Sequence, residues 1–232
     1  MATKERGLMV AAGIGLPVVV FAAVYLLFFT PEPAERLKLS AGESPPAATS
    51  ALEGRWSLAP GSEAGYRVRE KLANLPAPSD AVGRTTALTG GFTVSGRGDS
   101  LVVRDTGFEA DLTKLTSDQQ KRDNRIRIMG LESDRFPTAT FKAPEPIDVP
   151  KDAIAGRPFR SRVTGDLTIH GVTKRVTIPI DVQRRGESVE LAGSITFPFT
   201  DFGMQPASIP PLVSVGSDAT MEFKLVLSRV AG

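Results

Sequence analysis

The chain has no cysteine and only one histidine among its 232 residues. It therefore cannot form disulfides, cysteine nucleophiles, cysteine-held iron–sulfur clusters or zinc sites built from several His and Cys ligands. The chain also has no large excess of either charge, because its 28 Lys and Arg nearly balance its 26 Asp and Glu and give a net charge of +2. A nucleic-acid-binding surface usually needs a denser basic patch than this balance provides. We expect no metal, no cofactor and no nucleic acid partner.

Hydrophobic residues make up 41% of the chain, and they are concentrated near the N-terminus. Residues 8–29 contain no charged side chain, and 22 residues at ~1.5 Å each are enough to cross a ~30 Å hydrocarbon core. We predict a single transmembrane signal anchor here, after a short tail over residues 1–7. A cleaved signal peptide is the alternative, but no small-x-small site follows the run directly. Lys4 and Arg6 favour a cytoplasmic N-terminus and an extracytoplasmic C-terminal domain in the cell membrane.

Residues 30–51 are rich in Pro, Ala and Ser and contain no aromatic side chain. Such a composition is typical of a solvated, partly extended linker. The alternative is an ordered arm on the following domain, because Leu37 and Leu39 offer apolar side chains for packing.

Residues 52–232 contain apolar residues that recur with a period of two between turn residues. This pattern predicts half-buried antiparallel strands, about eight in number, and a sheet of that size either closes or splits in two. A change of parity near Gly107 predicts a bulge or bend. Ser117 and Gln120 have the spacing of a capping box, which predicts one short helix over residues 117–131. The predicted fold is all-β: an antiparallel β-barrel with one short helix, after a single transmembrane helix.

Several short motifs occur in a characteristic order along this domain. They are Trp56-Ser57-Leu58, Leu112-Thr113, Lys121-Arg122-Asp123, Phe136 to Phe141, Gly165 to Lys174 and Asp201-Phe202-Gly203. In this order and spacing the chain resembles the YceI-like family, from about Leu52 to the C-terminus. The resemblance implies a lipocalin-like barrel whose apolar interior holds a long isoprenoid or similar lipid, usually in an exported protein without a known catalytic centre.

The inward stripes of the predicted strands would form the wall of such a site. We predict ligand contacts from Tyr66, Val68, Phe92, Val94, Phe108, Ala110, Phe141, Leu167, Ile169, Ile178, Ile180, Ile195, Phe197, Phe223 and Leu225. An eight-stranded barrel is either filled by its side chains or holds one ligand, and periodicity does not distinguish the two. The residues alone therefore leave open whether the interior is filled.

Polar residues offer a second set of candidates. Arg122 and Arg125 lie three apart on the predicted helix, so they share a face and are predicted to meet a lipid headgroup or the polar end of a ligand. The alternative is that Arg122 pairs with a neighbouring aspartate. We expect Tyr66 to bury its ring with its hydroxyl hydrogen-bonded, and His170 to be a polar residue beside a tight turn at Gly171.

These patterns favour a membrane-tethered, extracytoplasmic lipid-binding protein without catalytic chemistry, and they leave the oligomeric state open. The alternative is a filled barrel that acts as a protein-interaction or stress-response module of the cell envelope. An enzyme is the least favoured class, because the sequence contains no G-x-S-x-G or comparable nucleophile motif.

Overall fold

The structure is a computed structural model, and it describes residues 34–41, 52–98, 100–150, 153 and 157–230. The predicted membrane span over residues 8–29 and the tail before it lie outside this part of the chain, so both stay predictions. Among the residues that are described, no helix has both the length and the apolar character needed to cross a membrane.

Over the residues described, the fold consists mainly of strands, together with the α-helix α1 and two 3₁₀ turns. The helix is α1 (Gln120–Ile128), and the 3₁₀ turns cover Leu112–Lys114 and Phe199–Phe202. The strands are β1 (Gly54–Leu58), β2 (Glu63–Leu72), β3 (Ser79–Thr85), β4 (Leu88–Arg97), β5 (Ser100–Asp111), β6 (Thr116–Ser117), β7 (Thr138–Ala143), β8 (Ile147–Asp148), β9 (Phe159–Ile169), β10 (Val172–Arg185), β11 (Ser188–Pro198) and β12 (Val213–Arg229).

Eight of these strands close into an antiparallel barrel. Their order around the ring is β1, β4, β5, β7, β9, β10, β11 and β12, and β12 pairs back onto β1. The long strand β12 also pairs with β2, so β2 and β3 extend the wall beyond β1 and β4. The predicted all-β antiparallel barrel of about eight strands with one short helix is therefore confirmed.

Two local features of the barrel follow from backbone conformation. β9 and β10 meet in a two-residue hairpin in which His170 (φ 54°) and Gly171 (φ 74°) both have positive φ, as a type I′ turn requires. The predicted bulge near Gly107 is also present. The pairing of β4 with β5 shifts register just before Gly107, and Asp105 takes a positive φ of 53° there.

The helix is shorter than predicted, and the capping box is absent. Ser117 belongs to β6, where it pairs with Gly83, so strand pairing keeps it extended and α1 starts only at Gln120. The Ser117 hydroxyl donates instead to Asp123 Oδ1 at 2.6 Å, and its amide donates to the same oxygen at 3.0 Å. Ser117 therefore bonds to Asp123, about one helical turn after Gln120, which is the partner that the capping-box pattern predicted.

The barrel has two ends that differ in their packing. At the Trp56 end, where β12 finishes, the buried core consists of Trp56, Val94, Leu225 and Leu227. At the helix end, α1 reaches the barrel near Glu70, and the core is larger. Its buried members are Val68, Ala81, Leu167, Ile169, Phe197, Phe199, Phe202, Met204 and Ala219.

Part of the predicted linker contacts the outside of the barrel. The Ser40 amide donates to Glu190 Oε2 at 3.0 Å, Lys224 donates to the Ser40 hydroxyl at 2.8 Å, and Arg185 donates to the Ser40 carbonyl at 3.1 Å. These three bonds attach the chain at Ser40 to β10, β11 and β12. The boundaries of the linker stay predictions, because residues 42–51 lie outside the described part.

Candidate functional site

The barrel interior is open, and its larger cavity lies at the Trp56 end. This Trp56-end cavity has a volume of about 230 Å³ and a wall that is almost entirely apolar. Ten of the predicted contact residues line it: Phe92, Val94, Phe108, Ala110, Phe141, Leu167, Ile178, Ile180, Phe223 and Leu225. The sequence left open whether side chains fill the interior, and in the structure they leave a cavity there.

A second cavity of about 110 Å³ lies at the helix end. This helix-end cavity is lined by six more of the predicted residues: Tyr66, Val68, Arg122, Arg125, Ile169 and Phe197. Ile195 lines neither cavity and packs instead against the core at the helix end. Strand parity therefore selected residues that line the cavities, and contact of these residues with a ligand stays a prediction.

The two cavities share a border of mainly small side chains, which we call the neck. Ala64, Ala110, Ala139 and Met221 line both cavities. Ala110 and Ala139 face each other directly across β5 and β7. Three of these four residues are alanines, so a larger side chain at any of them would take up space at the border of the two cavities.

The two cavities follow one another along the barrel. Their lining runs along β12 from Val215 at the helix end to Leu225 at the Trp56 end, and because the irregularity between Val215 and Ala219 takes up two extra residues, this stretch measures about 26 Å at ~3.3 Å per residue. An eight-stranded barrel has an interior only wide enough for side chains or one small ligand. The shape therefore suits one extended chain of atoms.

A buried ionic cluster closes the helix end. Glu70 is 2% exposed and points inward from β2, where it accepts hydrogen bonds from Arg122 Nη2 and, at 3.3 Å, from Arg125 Nη2. Arg122 also pairs with Asp118 through Nη1. Burial lowers the pKa of Arg122, but its hydrogen bonds to Glu70 and Asp118 outweigh that effect and raise the pKa above its ordinary value. Both arginines therefore lie in the cavity wall with their charge balanced by carboxylates.

Tyr66 lies beside this cluster with its hydroxyl buried and without a hydrogen-bond partner. The expectation that this hydroxyl is hydrogen-bonded is therefore wrong for the residues described. Burial raises the pKa of Tyr66 well above its ordinary value of 10, so the hydroxyl keeps its proton and remains a donor. The Nε atoms of Arg122 and Arg125 are buried without a partner as well. Three residues that line one small cavity thus each carry an unused donor, and buried donors are costly to leave unpaired.

Sequence reasoning missed many of the residues that line the two cavities, and Glu70 and Trp56 are the two with the most distinctive chemistry. Glu70 shares the inward parity of Tyr66 and Val68, and this parity was the available signal, although a carboxylate on an apolar stripe is exceptional. Trp56 is 3% exposed and lines the Trp56-end cavity, with its indole nitrogen donating to the Leu52 carbonyl at 2.9 Å.

His170 lies in the β9–β10 turn and lines neither cavity. Its Nε2 is 3.2 Å from Glu132 Oε1, and its ring packs on Phe136 with 4.1 Å between ring centroids. The expected position beside a tight turn is confirmed. Among the described residues, no three His, Asp or Glu side chains are grouped as metal ligands.

Comparison with known proteins assigns this barrel to a family. A model of the YceI-like domain matches residues 56–227, which is most of the chain. The chain belongs to the YceI-like family. The family resemblance inferred from the ordered motifs is thereby confirmed.

Relatives and solved structures agree with this assignment. A UPF0312 protein of Vibrio cholerae is 30% identical over 102 residues, which is 41% of this chain and 50% of the relative. A UPF0312 protein of Vibrio parahaemolyticus is 29% identical over 122 residues, covering 50% of this chain and 58% of the relative. The chain thus spans about half the length of the curated relatives it matches. A polyisoprenoid binding domain from Saccharophagus degradans has the same fold, with a TM-score of 0.58 at 18% identity over 75% of this chain and 98% of that domain.

Proposed function

We propose that this YceI-like barrel binds one long-chain isoprenoid or other long-chain amphiphile in its interior and carries out no covalent chemistry. The observation that carries the proposal is a pair of adjoining cavities in the barrel, one with an apolar wall and the other lined by residues that carry unpaired buried donors. An amphiphile has the matching parts, which are a long apolar tail and a polar head.

The apolar tail belongs in the Trp56-end cavity. Phe92, Phe108 and Phe223 supply aromatic wall there, and burial of a hydrocarbon chain stabilises the complex by about 25 cal/mol for each Å² removed from water. A compact ligand would occupy one cavity and leave the other empty, whereas an extended chain reaches both.

The polar head belongs in the helix-end cavity. A head with acceptor oxygens can receive hydrogen bonds from the Tyr66 hydroxyl and from Nε of Arg122 and Arg125, which are three buried, unpaired donors on residues that line this cavity. Glu70 holds both arginines in place through its two oxygens. The predicted polar contact of Arg122 and Arg125 is therefore with the ligand inside the barrel and not with a headgroup outside it.

The likeness in fold to a polyisoprenoid binding domain supports the isoprenoid class of lipid. At 18% identity this likeness is one of fold alone, and the individual side chains of this chain carry the rest of the argument.

The first test is native mass spectrometry of the purified full chain, which should retain a co-purified lipid. Ala139→Phe fills the neck and should lower the bound fraction at least tenfold, because the lipid no longer passes between the lobes. Thr138→Phe is the matched control, since it adds the same ring to the neighbouring exposed residue of β7 and should leave the bound lipid unchanged. Equal lipid content in the two variants would overturn the proposal.

The second test concerns the head. Tyr66→Phe keeps the ring and removes the unpaired hydroxyl, so it should weaken binding of the extracted lipid about fivefold, the worth of one hydrogen bond of ~1 kcal/mol. Unchanged affinity would remove Tyr66 from the site.

We further propose that residues 8–29 anchor the barrel in the cell membrane with the C-terminal domain outside the cytoplasm. The uncharged run of 22 residues supports this placement. Reporter fusions at both termini test it, and a C-terminal reporter that is active only in the cytoplasm would contradict it.

A further inference from the structure

The charged side chains that line the helix-end cavity belong to one set of ion pairs. Glu70, Arg122 and Arg125 line it, and the other described residues of its wall are uncharged. Arg122 also pairs with Asp118, whose side chain is 49% exposed. We call these four residues the helix-end cluster. Its two arginines and two carboxylates give it no net charge.

Both arginines of the cluster are already engaged with carboxylates. Arg122 donates to Glu70 Oε1 through Nη2 and to Asp118 Oδ1 through Nη1. The same Nη1 also donates to the Ser117 hydroxyl at 3.2 Å. Arg125 Nη2 donates to the second oxygen of Glu70 at 3.3 Å. Each oxygen of Glu70 therefore holds one arginine, and the buried nitrogen that is left without a partner on each arginine is Nε.

The charges that act on the Tyr66 hydroxyl are balanced as well. Burial raises the pKa of Tyr66 most strongly, and four charged side chains add smaller effects. Arg122 and Arg125 lower this pKa, whereas Asp123 and Glu70 raise it. A ligand head beside this hydroxyl thus meets two positive and two negative side chains.

The other basic residues of α1 add no positive charge to the cavity wall. Lys121 is exposed, and Arg127 pairs with Asp134 at 3.8 Å. Neither Lys121 nor Arg127 lines the helix-end cavity. An ionised head placed there would lose its hydration without gaining a net opposite charge, which is strongly unfavourable. Glu70, with its side chain only 1% exposed, would repel such a head with little screening by solvent.

We infer that the helix-end cavity selects an uncharged oxygen head, such as a carbonyl or a hydroxyl group, and rejects a phosphate head. The inference rests on the proposed lipid-binding function and adds the chemical class of the lipid. The Tyr66 hydroxyl and Nε of Arg122 and Arg125 each supply one hydrogen bond to a neutral acceptor. The helix-end cluster keeps its own charges paired when such a head is bound.

Two probes that differ only in the head test this selectivity. Geranylgeraniol and geranylgeranyl monophosphate have the same isoprenoid chain, and each is titrated against the full chain with its co-purified lipid. Native mass spectrometry measures the fraction of that lipid that is displaced. We expect the alcohol to reach half-displacement at a concentration at least tenfold lower than the phosphate does. Equal concentrations for the two probes, or a lower one for the phosphate, would overturn the inference.

Asp118→Asn connects the preference to the charge of the helix-end cluster. The substitution removes one negative charge at a half-exposed side chain and leaves Glu70 to hold both arginines. The ratio of the phosphate to the alcohol concentration at half-displacement should fall at least fivefold, because the cluster then has a net positive charge. Association of the probes with one another affects parent and variant equally, so it does not change this comparison.

Asp181→Asn is the matched control. The Asp181 side chain is also 49% exposed and is paired with Arg160 at 2.8 Å, but it lies on β10 and lines neither cavity of the interior. This variant should keep the ratio within twofold of the parent. An equal fall in both variants would assign the effect to the charge of the whole chain and overturn the inference.

The same titrations separate this inference from the proposed function. A chain that holds lipid and accepts the phosphate as readily as the alcohol refutes the uncharged head alone. A chain that holds neither a co-purified lipid nor either probe refutes the proposed function.

Discussion

The ion pair between Glu70 and Arg122 predicts a large and specific loss of stability. The two side chains are 1% and 4% exposed, and Glu70 is shared with Arg125 at 3.3 Å. Glu70→Gln keeps the shape and removes the charge, so two buried guanidinium groups lose their common counter-ion. Breaking a buried ion pair on one side costs about 3–5 kcal/mol. Asp118 still partners Arg122, which places the expected loss in the free energy of unfolding near the lower figure, about 3 kcal/mol.

Urea unfolding of the full chain measures this loss. Trp56 is the only tryptophan, is 3% exposed and lies at the opposite end of the barrel from Glu70, so its fluorescence reports loss of the whole barrel. A loss of about 3 kcal/mol should lower the thermal midpoint by about 6–12 °C for a barrel of this size. Glu109→Gln, at an exposed carboxylate of β5, is the matched control and should stay within about 0.5 kcal/mol of the parent.

A double variant tests the cause. Glu70→Leu with Arg122→Met replaces the pair with apolar side chains, and it should lose less stability than the two single variants together, because neither partner of the pair is left behind and only Arg125, which is 14% exposed, loses its counter-ion. A Glu70→Gln protein within 0.5 kcal/mol of the parent, or a double variant that shows the plain sum of the two single losses, would refute the reasoning.

Three further predictions concern pH, backbone packing and the wall. Hydrogen bonds from Arg135 and His170 lower the pKa of Glu132. Its contribution to stability is therefore present above the ordinary pKa of 4.5 and is lost as the pH falls through the lowered pKa. Thermal melts of Glu132→Gln should accordingly show a smaller loss of stability than the parent in that acid range. Gly91→Ala should destabilise the barrel by about 3 kcal/mol in urea, because its β-carbon would lie 1.9 Å from the Trp56 carbonyl oxygen, whereas Gly96→Ala on the same strand meets nothing closer than 3.8 Å and should be nearly neutral. Ile195→Ala should lower stability by about 2 kcal/mol without changing the bound lipid measured by native mass spectrometry, since Ile195 packs on the core and lines neither cavity.

Strand periodicity predicted the barrel and a part of its wall, because alternation is a local property of the backbone. Of the 15 predicted wall residues, 14 line one of the two cavities. Ile195 has the right parity, but β11 places it against packed side chains and away from open space. Parity determines the face of a sheet on which a side chain lies, and only the neighbouring strands determine whether that face is filled.

The start of α1 shows a long-range strand pairing that outweighs a local sequence pattern. The spacing of Ser117 and Gln120 favours a helix cap, yet Ser117 pairs with Gly83, which lies 34 residues earlier in the chain. A long-range pairing therefore set the start of α1, and no window of sequence around Ser117 contains that information.

The scarcity of histidine and absence of cysteine, the near balance of charge and the alternating stripes are properties of the sequence, and they determined an all-β barrel suited to binding. The tertiary structure decided that the interior contains two cavities, that Ala110 and Ala139 line both of them, and that Glu70 holds Arg122 and Arg125 beside the unpaired Tyr66 hydroxyl. The physical reason is that cavities and buried ion pairs depend on groups brought together from distant parts of the chain, whereas strand periodicity depends only on neighbours along it.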